Sequence, residues 1–325
     1  MFDRSRITAH LDNCLADTTF LNLPERKQGK VRDTYDLGDT MLLITTDRQS
    51  AFDRVLAAIP FKGQVLNQVS AFWFNETRDI VPNHVISIPD PNVTLARKCA
   101  VLPIEFVVRG FLTGSTDTSA WTLYKNGSRN ICGNGLADGM VKNQKFDAPI
   151  LTPTTKSDEH DESISAEEIV SRGIIDAATW KKCEEIVFAL FKRGTEKAAA
   201  NGLILVDTKY ELGIDADGVI TLIDEIHTPD SSRYWIAESY AQRFSEGKEP
   251  ENIDKEFLRL WFRDHCDPYR DAELPKAPDD LIVELSSRYI RLYEMITGRD
   301  FSVDTTETVE ERMTSNLRHA GIIAA

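Results

Sequence analysis

Three charged residues at alternate positions inside an apolar run constrain this chain more than any other feature. They lie in the segment LILVDTKYELGIDADGVITLIDEIHTPDSSRYW, residues 203–235. Two apolar runs, 203–212 and 219–226, are separated there by Gly213, Asp215, Asp217 and Gly218. Apolar runs bounded by Gly/Asp clusters predict a β-hairpin. Side chains of a strand alternate between faces, so Asp207, Lys209 and Glu211 share one. The returning run adds Asp224 and Glu225, and TPDSSR then supplies Asp230, Ser231, Ser232 and Arg233. Carboxylates flanked by Ile and Leu are costly to desolvate unless a cation or hydrogen bonds compensate. Solvated charge on an outward face is the ordinary alternative. The convergence of acids, a lysine, an arginine and paired serines in one supersecondary unit makes the hairpin a candidate metal and anion site. Mg²⁺ in particular is held by one or two carboxylates plus waters and substrate phosphates.

A length of 325 residues predicts about two domains and allows a large core. The formal net charge of -14 argues against a nucleic-acid or anionic-membrane partner, though a local basic pocket for a phosphorylated metabolite is compatible with it. Five scattered cysteines, with no C-x-x-C pair, suit free thiols in a reducing cytoplasm. Neither a signal peptide nor a membrane span is expected from the apolar pattern.

Along the chain, GKVRDTYDLGDTMLLITTD predicts a hairpin with strands near 30–35 and 41–46. The opening Gly29-Lys30-Val31-Arg32 reads either as an ordinary turn or as backbone and basic groups covering nucleotide phosphates. It fits neither G-x-G-x-x-G nor the P-loop pattern. TTDRQSAFD is expected as a loop carrying Asp47, Arg48, Ser50 and Asp53, and 64–79 as a helix with Val65, Val69, Phe72 and Trp73 in the core. VLPIEFVVRGFLTGST predicts a strand over 104–108 ending in Arg109. The loop after it, with Thr113 and Ser115, is either a phosphate seat or plain surface. ILTPTTKSDEHDESIS is a long polar stretch without periodicity, read either as a functional lid or as a disordered segment. A capping box at Ser165 and Glu168 opens a helix, and a second helix over 176–200 ends at Gly202. Further helices are expected over 234–244, 255–265 and 279–297. The charged tail beyond Gly298 is expected to be at most partly ordered against the body.

GKVRDTYD, TDRQSAFD, EFVVRGFLTGS, TPTTKSDEHDESIS, DTKYELG and LIDEIHTPDSSRYW, in this order, resemble the SAICAR synthase (phosphoribosylaminoimidazole-succinocarboxamide synthase) family. The resemblance runs from Gly29 to Gly298; TDTS after Ser115 departs from the family's compact GSAW pattern. It implies an α+β fold with a small antiparallel β lobe, similar to a kinase N-lobe, over 1–102. A larger α+β domain of ATP-grasp type over 103–245 would follow, with a helical segment over 246–325 packed on it. The implied activity is a carbon–nitrogen ligation of purine biosynthesis, in which ATP drives condensation of CAIR with L-aspartate to SAICAR through an acyl phosphate. Glu211 and Asp224 would hold Mg²⁺ against the ATP phosphates, with Lys209 neutralising phosphoryl or carboxylate charge. Gly29, Lys30, Val31, Arg32 and Glu105 would contact ATP. Arg109, Ser115, Asp230, Ser231, Ser232 and Arg233 would take CAIR. Asp47, Ser50 and Asp53, with Asp161, Glu162 and Ser163, would serve aspartate binding and lid closure. Two rivals stay open at this point: a small-molecule kinase using the same metal and lysine, and a nucleotide-binding module without turnover.

Overall fold

The computed structural model describes residues 3–52, 54–156, 162–252, 256–303 and 306–324. They divide into two units, one comprising Met1–Phe72, His84–Lys98 and Ile253–Ala325, the other Trp73–Asn83 and Cys99–Asn252. Every strand pair in both is antiparallel, and with the helices this gives the expected α+β class.

The first unit opens with helix α1 (Arg4–Thr8), then strands β1 (Arg26–Gln28), β2 (Arg32–Asp36), β3 (Thr40–Thr45), β4 (Arg48–Ala51) and β5 (Arg54–Ala58). Helix α2 (Lys62–Glu76), β6 (Val85–Asp90) and β7 (Val93–Arg97) follow. Its sheet runs β1-β2-β3-β7-β6, and the expected 30–46 hairpin is β2 with β3. TTDRQSAFD departs from the expected loop. Arg48 and Gln49 are buried, and β4 pairs with β5 as a separate hairpin. The 64–79 helix begins earlier than expected because the Asp47 carboxylate accepts the Gly63 N–H at 2.8 Å, a cap supplied from outside the helix. A side chain at Gly63 would put its Cβ 2.3 Å from the Thr45 carbonyl oxygen, so glycine is required there.

The second unit begins with β8 (Ala100–Leu112) and α3 (Ala120–Lys125), followed by the short pair β9 (Asn130–Ile131) and β10 (Asn134–Gly135). Next come β11 (Gln144–Leu151), β12 (Thr154–Thr155), α4 (Ala166–Ser171) and α5 (Ala177–Ala200). It closes with β13 (Leu203–Ile214), β14 (Ile220–Ile223), β15 (Ser232–Ile236) and α6 (Ala237–Ser245). The sheet order is β11-β8-β13-β14, with β12 on β8 and β15 on β13, so β8 and β13 are flanked on both sides. The capping box at Ser165 and Glu168 forms as expected. α5 buries Trp180, Val187 and Phe191, and the Trp180 ring stacks on Phe106 of β8 at 5.5 Å. One face of the central strands is thereby sealed by apolar packing, which leaves the charged residues to the other.

Several strand limits differ from the sequence reading. β8 runs through Arg109 instead of ending at it, because Asp207 stands opposite and compensates the charge. Residues 232–236 form β15 rather than loop and helix, again because Arg233 pairs with Asp207 across the strands. Gly213, expected in the turn, lies within β13, where a Cβ would stand 2.9 Å from that of Cys99.

The chain then returns to the first unit with α7 (Glu256–His265), α8 (Asp279–Thr297) and α9 (Val309–His319). This grouping departs from the expected packing of 246–325 on the central domain. Tyr289 of α8 donates to Gln49 at 3.2 Å, and Ser286 donates to the Pro60 carbonyl at 2.7 Å. The tail is better ordered than expected. Thr308 and Glu311 form a capping box, and Val309, Met313 and Leu317 join Leu15, Tyr35, Leu42, Ile44 and Val93 in one apolar cluster. The apolar residues recur every four positions, and the surrounding charges mask that stripe in the sequence.

Candidate active site

The register of the central strands assembles the site. Asp207 stands opposite Arg109, Lys209 opposite Val107 and Glu211 opposite Glu105, while β15 sets Arg233 beside Asp207. Directly paired residues share a face, so these charged side chains project together from the side away from α5. The expected common face of Asp207, Lys209 and Glu211 is therefore what the strands build.

Lys209 is the hub of one half. Its Nζ donates to Glu105 Oε1 at 2.8 Å and to Glu211 Oε1 at 2.6 Å. The other Glu211 oxygen is taken by Lys156. Burial alone would lower the Lys209 pKa. Asp224, Glu211 and Glu105 outweigh it and raise the pKa above the usual lysine range, so the ammonium stays charged. Asp224 is half-buried just past the end of β14, in a left-handed backbone conformation (φ 64°), rather than within a strand.

The other half is built on Asp207. Arg233 grips it with two bonds, Nε at 2.9 Å and Nη2 at 2.5 Å, while Arg109 approaches at 3.4 Å and donates from Nε to Thr152 at 2.8 Å. Burial pulls the Arg109 pKa down, and Asp207 opposes that. Two guanidiniums around one carboxylate leave a net positive charge, and the Arg233 side chain is 39% exposed. A planar guanidinium fork that is partly exposed beside a second arginine suits a phosphate or carboxylate.

The loop after β14 is tied down by Thr228. Its hydroxyl donates to Glu225 at 2.7 Å and accepts the N–H groups of Asp230 and Ser231. Ser232 donates to Thr208 at 2.7 Å. Beneath the loop, His227 is fully buried, with Nε2 and the Tyr210 hydroxyl 2.5 Å apart and its carbonyl accepting from Tyr234 at 2.8 Å. Gly194 makes room for the imidazole, since a Cβ there would lie 2.4 Å from Cε1. Burial holds the His227 pKa down at about 3, so the ring is neutral.

Of the residues singled out in the sequence, Glu105, Arg109, Lys209, Glu211, Asp224 and Arg233 come together here. Glu105, expected among the adenosine contacts, is a direct partner of Lys209. Asp230 and Ser231 are half-buried in the Thr228 loop with Ser232 beside them, and Ser115 is exposed in the loop after β8. Ser163 lines a cavity of about 190 Å³ with Glu105, Arg109, Thr152 and Thr154. Glu162 is exposed and exchanges hydrogen bonds with Thr155. Gly29, Lys30, Val31, Arg32, Asp47 and Ser50 belong to the first unit. Asp47 is not available to a ligand. It is 1% exposed, and its two oxygens accept the N–H groups of Leu15 and Gly63. Asp53 and Asp161 lie outside the described residues. Lys156, Thr152, Thr228 and His227 join the site without having been expected there, and Asp207 had no expected role. For Asp207 the signal was present, since it continues the alternation of Lys209 and Glu211.

Among the described residues, no group of three or more His, Cys, Asp or Glu is arranged to hold a metal ion. The hard carboxylate oxygens of Glu211 and Asp224 nevertheless fit Mg²⁺, which needs only one or two carboxylates beside substrate phosphates.

Comparison with known proteins gives one family. The family model described as SAICAR synthetase matches residues 25–275. A phosphoribosylaminoimidazole-succinocarboxamide synthase of Legionella pneumophila (strain Lens) is 58% identical over 307 residues, covering 94% of this chain and 98% of that protein. The solved SAICAR synthase of Saccharomyces cerevisiae, complexed with SAICAR, superposes with a TM-score of 0.75 at 32% identity, over 86% of this chain and 97% of that one. A SAICAR synthetase solved in complex with ADP gives a TM-score of 0.65 at 25% identity, over 86% of this chain and all (100%) of that one.

Proposed function

The chain belongs to the SAICAR synthetase family, ATP-dependent ligases of purine biosynthesis, and from that premise we propose how its residues condense CAIR with L-aspartate. The observation that carries the proposal is the shared face of β8, β13 and β15, where a lysine held among carboxylates adjoins two arginines gathered on Asp207.

A carboxylate is a poor acylating agent because oxide would have to leave. The γ-phosphoryl group of ATP moves to the CAIR carboxylate, giving an acyl phosphate and ADP. The amine of L-aspartate then attacks the acyl carbon, the C–N bond forms, the C–O bond breaks, phosphate leaves and the nitrogen gives up a proton. The protein's part is positioning and charge neutralisation, as in other phosphoryl transfers. Lys209, kept cationic by its neighbours, offsets the negative charge gathered where phosphoryl group and carboxylate meet. Lys156, on the same Glu211, adds a second cation. Arg233 and Arg109, with Ser115 and the Asp230–Ser232 loop, take the CAIR phosphate and ribose. Glu211 and Asp224 would hold Mg²⁺, which when bound neutralises the nucleotide phosphates. In the first unit, Gly29, Lys30, Val31 and Arg32 contact the ATP phosphates. The relative solved with ADP supports ATP as the nucleotide. Ser50, Glu162 and Ser163 stay with aspartate binding. Closure over them has a purpose, since water would otherwise hydrolyse the acyl phosphate. The cysteines are free thiols, which supports a cytoplasmic enzyme.

Family membership counts against the kinase alternative. The deciding experiment is ADP release with ATP, Mg²⁺ and CAIR, with and without L-aspartate, and product mass in both reactions. Aspartate-dependent ADP release with a succinocarboxamide product is expected; ADP release indifferent to aspartate, with a phosphorylated product, would restore the kinase.

A further inference from the structure

In the first unit, Arg48 is a buried cation whose side chain is only 4% exposed. Its guanidinium donates to three main-chain carbonyls: Gly29 at 2.9 Å, Lys30 at 3.3 Å and Ala16 at 2.8 Å. It also pairs with Asp33 at 2.6 Å, and Asp33 in turn accepts from Thr18 at 2.6 Å and pairs with Arg26 at 3.0 Å. The next carbonyl along, that of Val31, accepts both the N–H and the hydroxyl of Thr46, at 2.9 and 2.5 Å. Three consecutive carbonyls of one tight turn are thus all tied to β4 or the residues just before it. The turn is closed by the Gly29 N–H on the Arg32 carbonyl at 2.8 Å, and a Cβ at Gly29 would stand 2.7 Å from that same oxygen.

The consequence follows from peptide geometry. In a planar trans peptide, the C=O of one residue and the N–H of the next point in opposite directions, and the described chain has no cis peptide. Drawing the Gly29 and Lys30 carbonyls onto Arg48 therefore aims the N–H groups of Lys30 and Val31 to the opposite side of the turn. Successive amides aimed to one side form an anion-binding concavity. Only a forked side chain reaches these acceptors together. A lysine could neutralise Asp33, but it would not span the carbonyls.

We propose that Arg48 is the positioning residue that gives the Gly29–Arg32 turn its phosphate-facing shape, acting on ATP without touching it. The inference rests on the reading of that turn as an ATP-phosphate contact, and the experiment separates the two. Arg48→Lys, Thr46→Val and Lys30→Ala are compared with the wild type by calorimetric binding of ADP and of adenosine, and by KM for ATP, CAIR and L-aspartate. Arg48→Lys should weaken ADP about tenfold while adenosine changes by less than about twofold. The ATP KM should rise with the ADP constant, and the other two KM values should hold. A merely structural role would instead weaken ADP and adenosine equally, and that result would overturn the proposal. If Lys30→Ala weakens ADP and Arg48→Lys does not, the turn binds phosphate without Arg48 and the inference fails alone. If neither variant affects ADP, the phosphate reading of the turn fails and takes the inference with it. Should Arg48→Lys not fold, Thr46→Val, which deletes one hydroxyl from the Val31 carbonyl, decides by the same comparison of ADP with adenosine.

Discussion

Asp207 and Arg233 meet fork to carboxylate across β13 and β15, with one oxygen accepting from Nε at 2.9 Å and the other from Nη2 at 2.5 Å. An amide in place of that carboxylate cannot accept both bonds, and it leaves Arg109 and Arg233 facing each other without their shared anion. Asp207→Asn should therefore raise the CAIR KM by about tenfold or more, with a smaller effect on the ATP KM. Steady-state kinetics with each substrate varied in turn will check this. An unchanged CAIR KM would move the phosphate seat elsewhere.

Asp224→Asn keeps the size and shape of the side chain and removes its charge. Turnover should fall by at least about a hundredfold, while the thermal midpoint stays close to that of the wild type. Activity across a Mg²⁺ titration, with melting curves on the same samples, provides the check. A folded variant with near-normal turnover would remove Asp224 from the metal-binding pair.

The pH dependence of stability carries two opposed contributions. Folded His227 has a pKa of about 3 against 6.5 for an ordinary histidine. Between those values the unfolded chain takes up a proton that the folded chain refuses, so stability falls as pH drops below 6.5. By pH 5 the loss should be about 2 kcal/mol. Asp47 works the other way. Its folded pKa, raised by burial to about 6 from 3.8, means the folded chain binds the extra proton, and stability falls as pH rises through that window. Urea unfolding of His227→Leu and Asp47→Asn from pH 4 to 7 separates the two. Relative to wild type, the first should lose the acid-side decline and the second the decline toward neutrality. Parallel curves for a variant and the wild type would mean that its residue does not titrate as described.

Arg312 joins α9 to β6 by donating to the buried Asp90 at 3.1 Å, next to the Met313 that fills the apolar cluster of the first unit. Met313→Ala should cost about 2–5 kcal/mol through the cavity it leaves. Arg312→Ala should cost about 3 kcal/mol by stranding the Asp90 carboxylate. Chemical denaturation gives both numbers. Losses below about 0.5 kcal/mol, the range of ordinary surface substitutions, would mean that the tail is dispensable for folding.

The central hairpin was legible because strand periodicity is rigid. Once LILVDTKYELG is a strand, Asp207, Lys209 and Glu211 must share a face. Partners supplied from far away in sequence were not legible. Nothing local announces that Asp207 will face Arg109, so β8 was read as stopping at a charge that the fold compensates. For the same reason nothing local announces that Arg233 lies on a strand opposite Asp207. His227 gave no signal either, since its site depends on the missing side chain of Gly194. Asp47 misled in the opposite sense, because an acid in a polar segment resembles a ligand contact until its oxygens are traced to Leu15 and Gly63. The tail was misjudged because four-residue apolar spacing is faint among so many charges.

The pairing of β8 with β13 also limits how such a chain can change over generations. Adding or deleting one residue within either strand would reverse the face of every position beyond it, sending Lys209 or Arg109 toward the apolar side under α5. Length variation among descendants should therefore collect in the segment between α3 and β11 and the turn between β13 and β14, leaving the spacing from Glu105 to Arg109 and from Asp207 to Glu211 untouched.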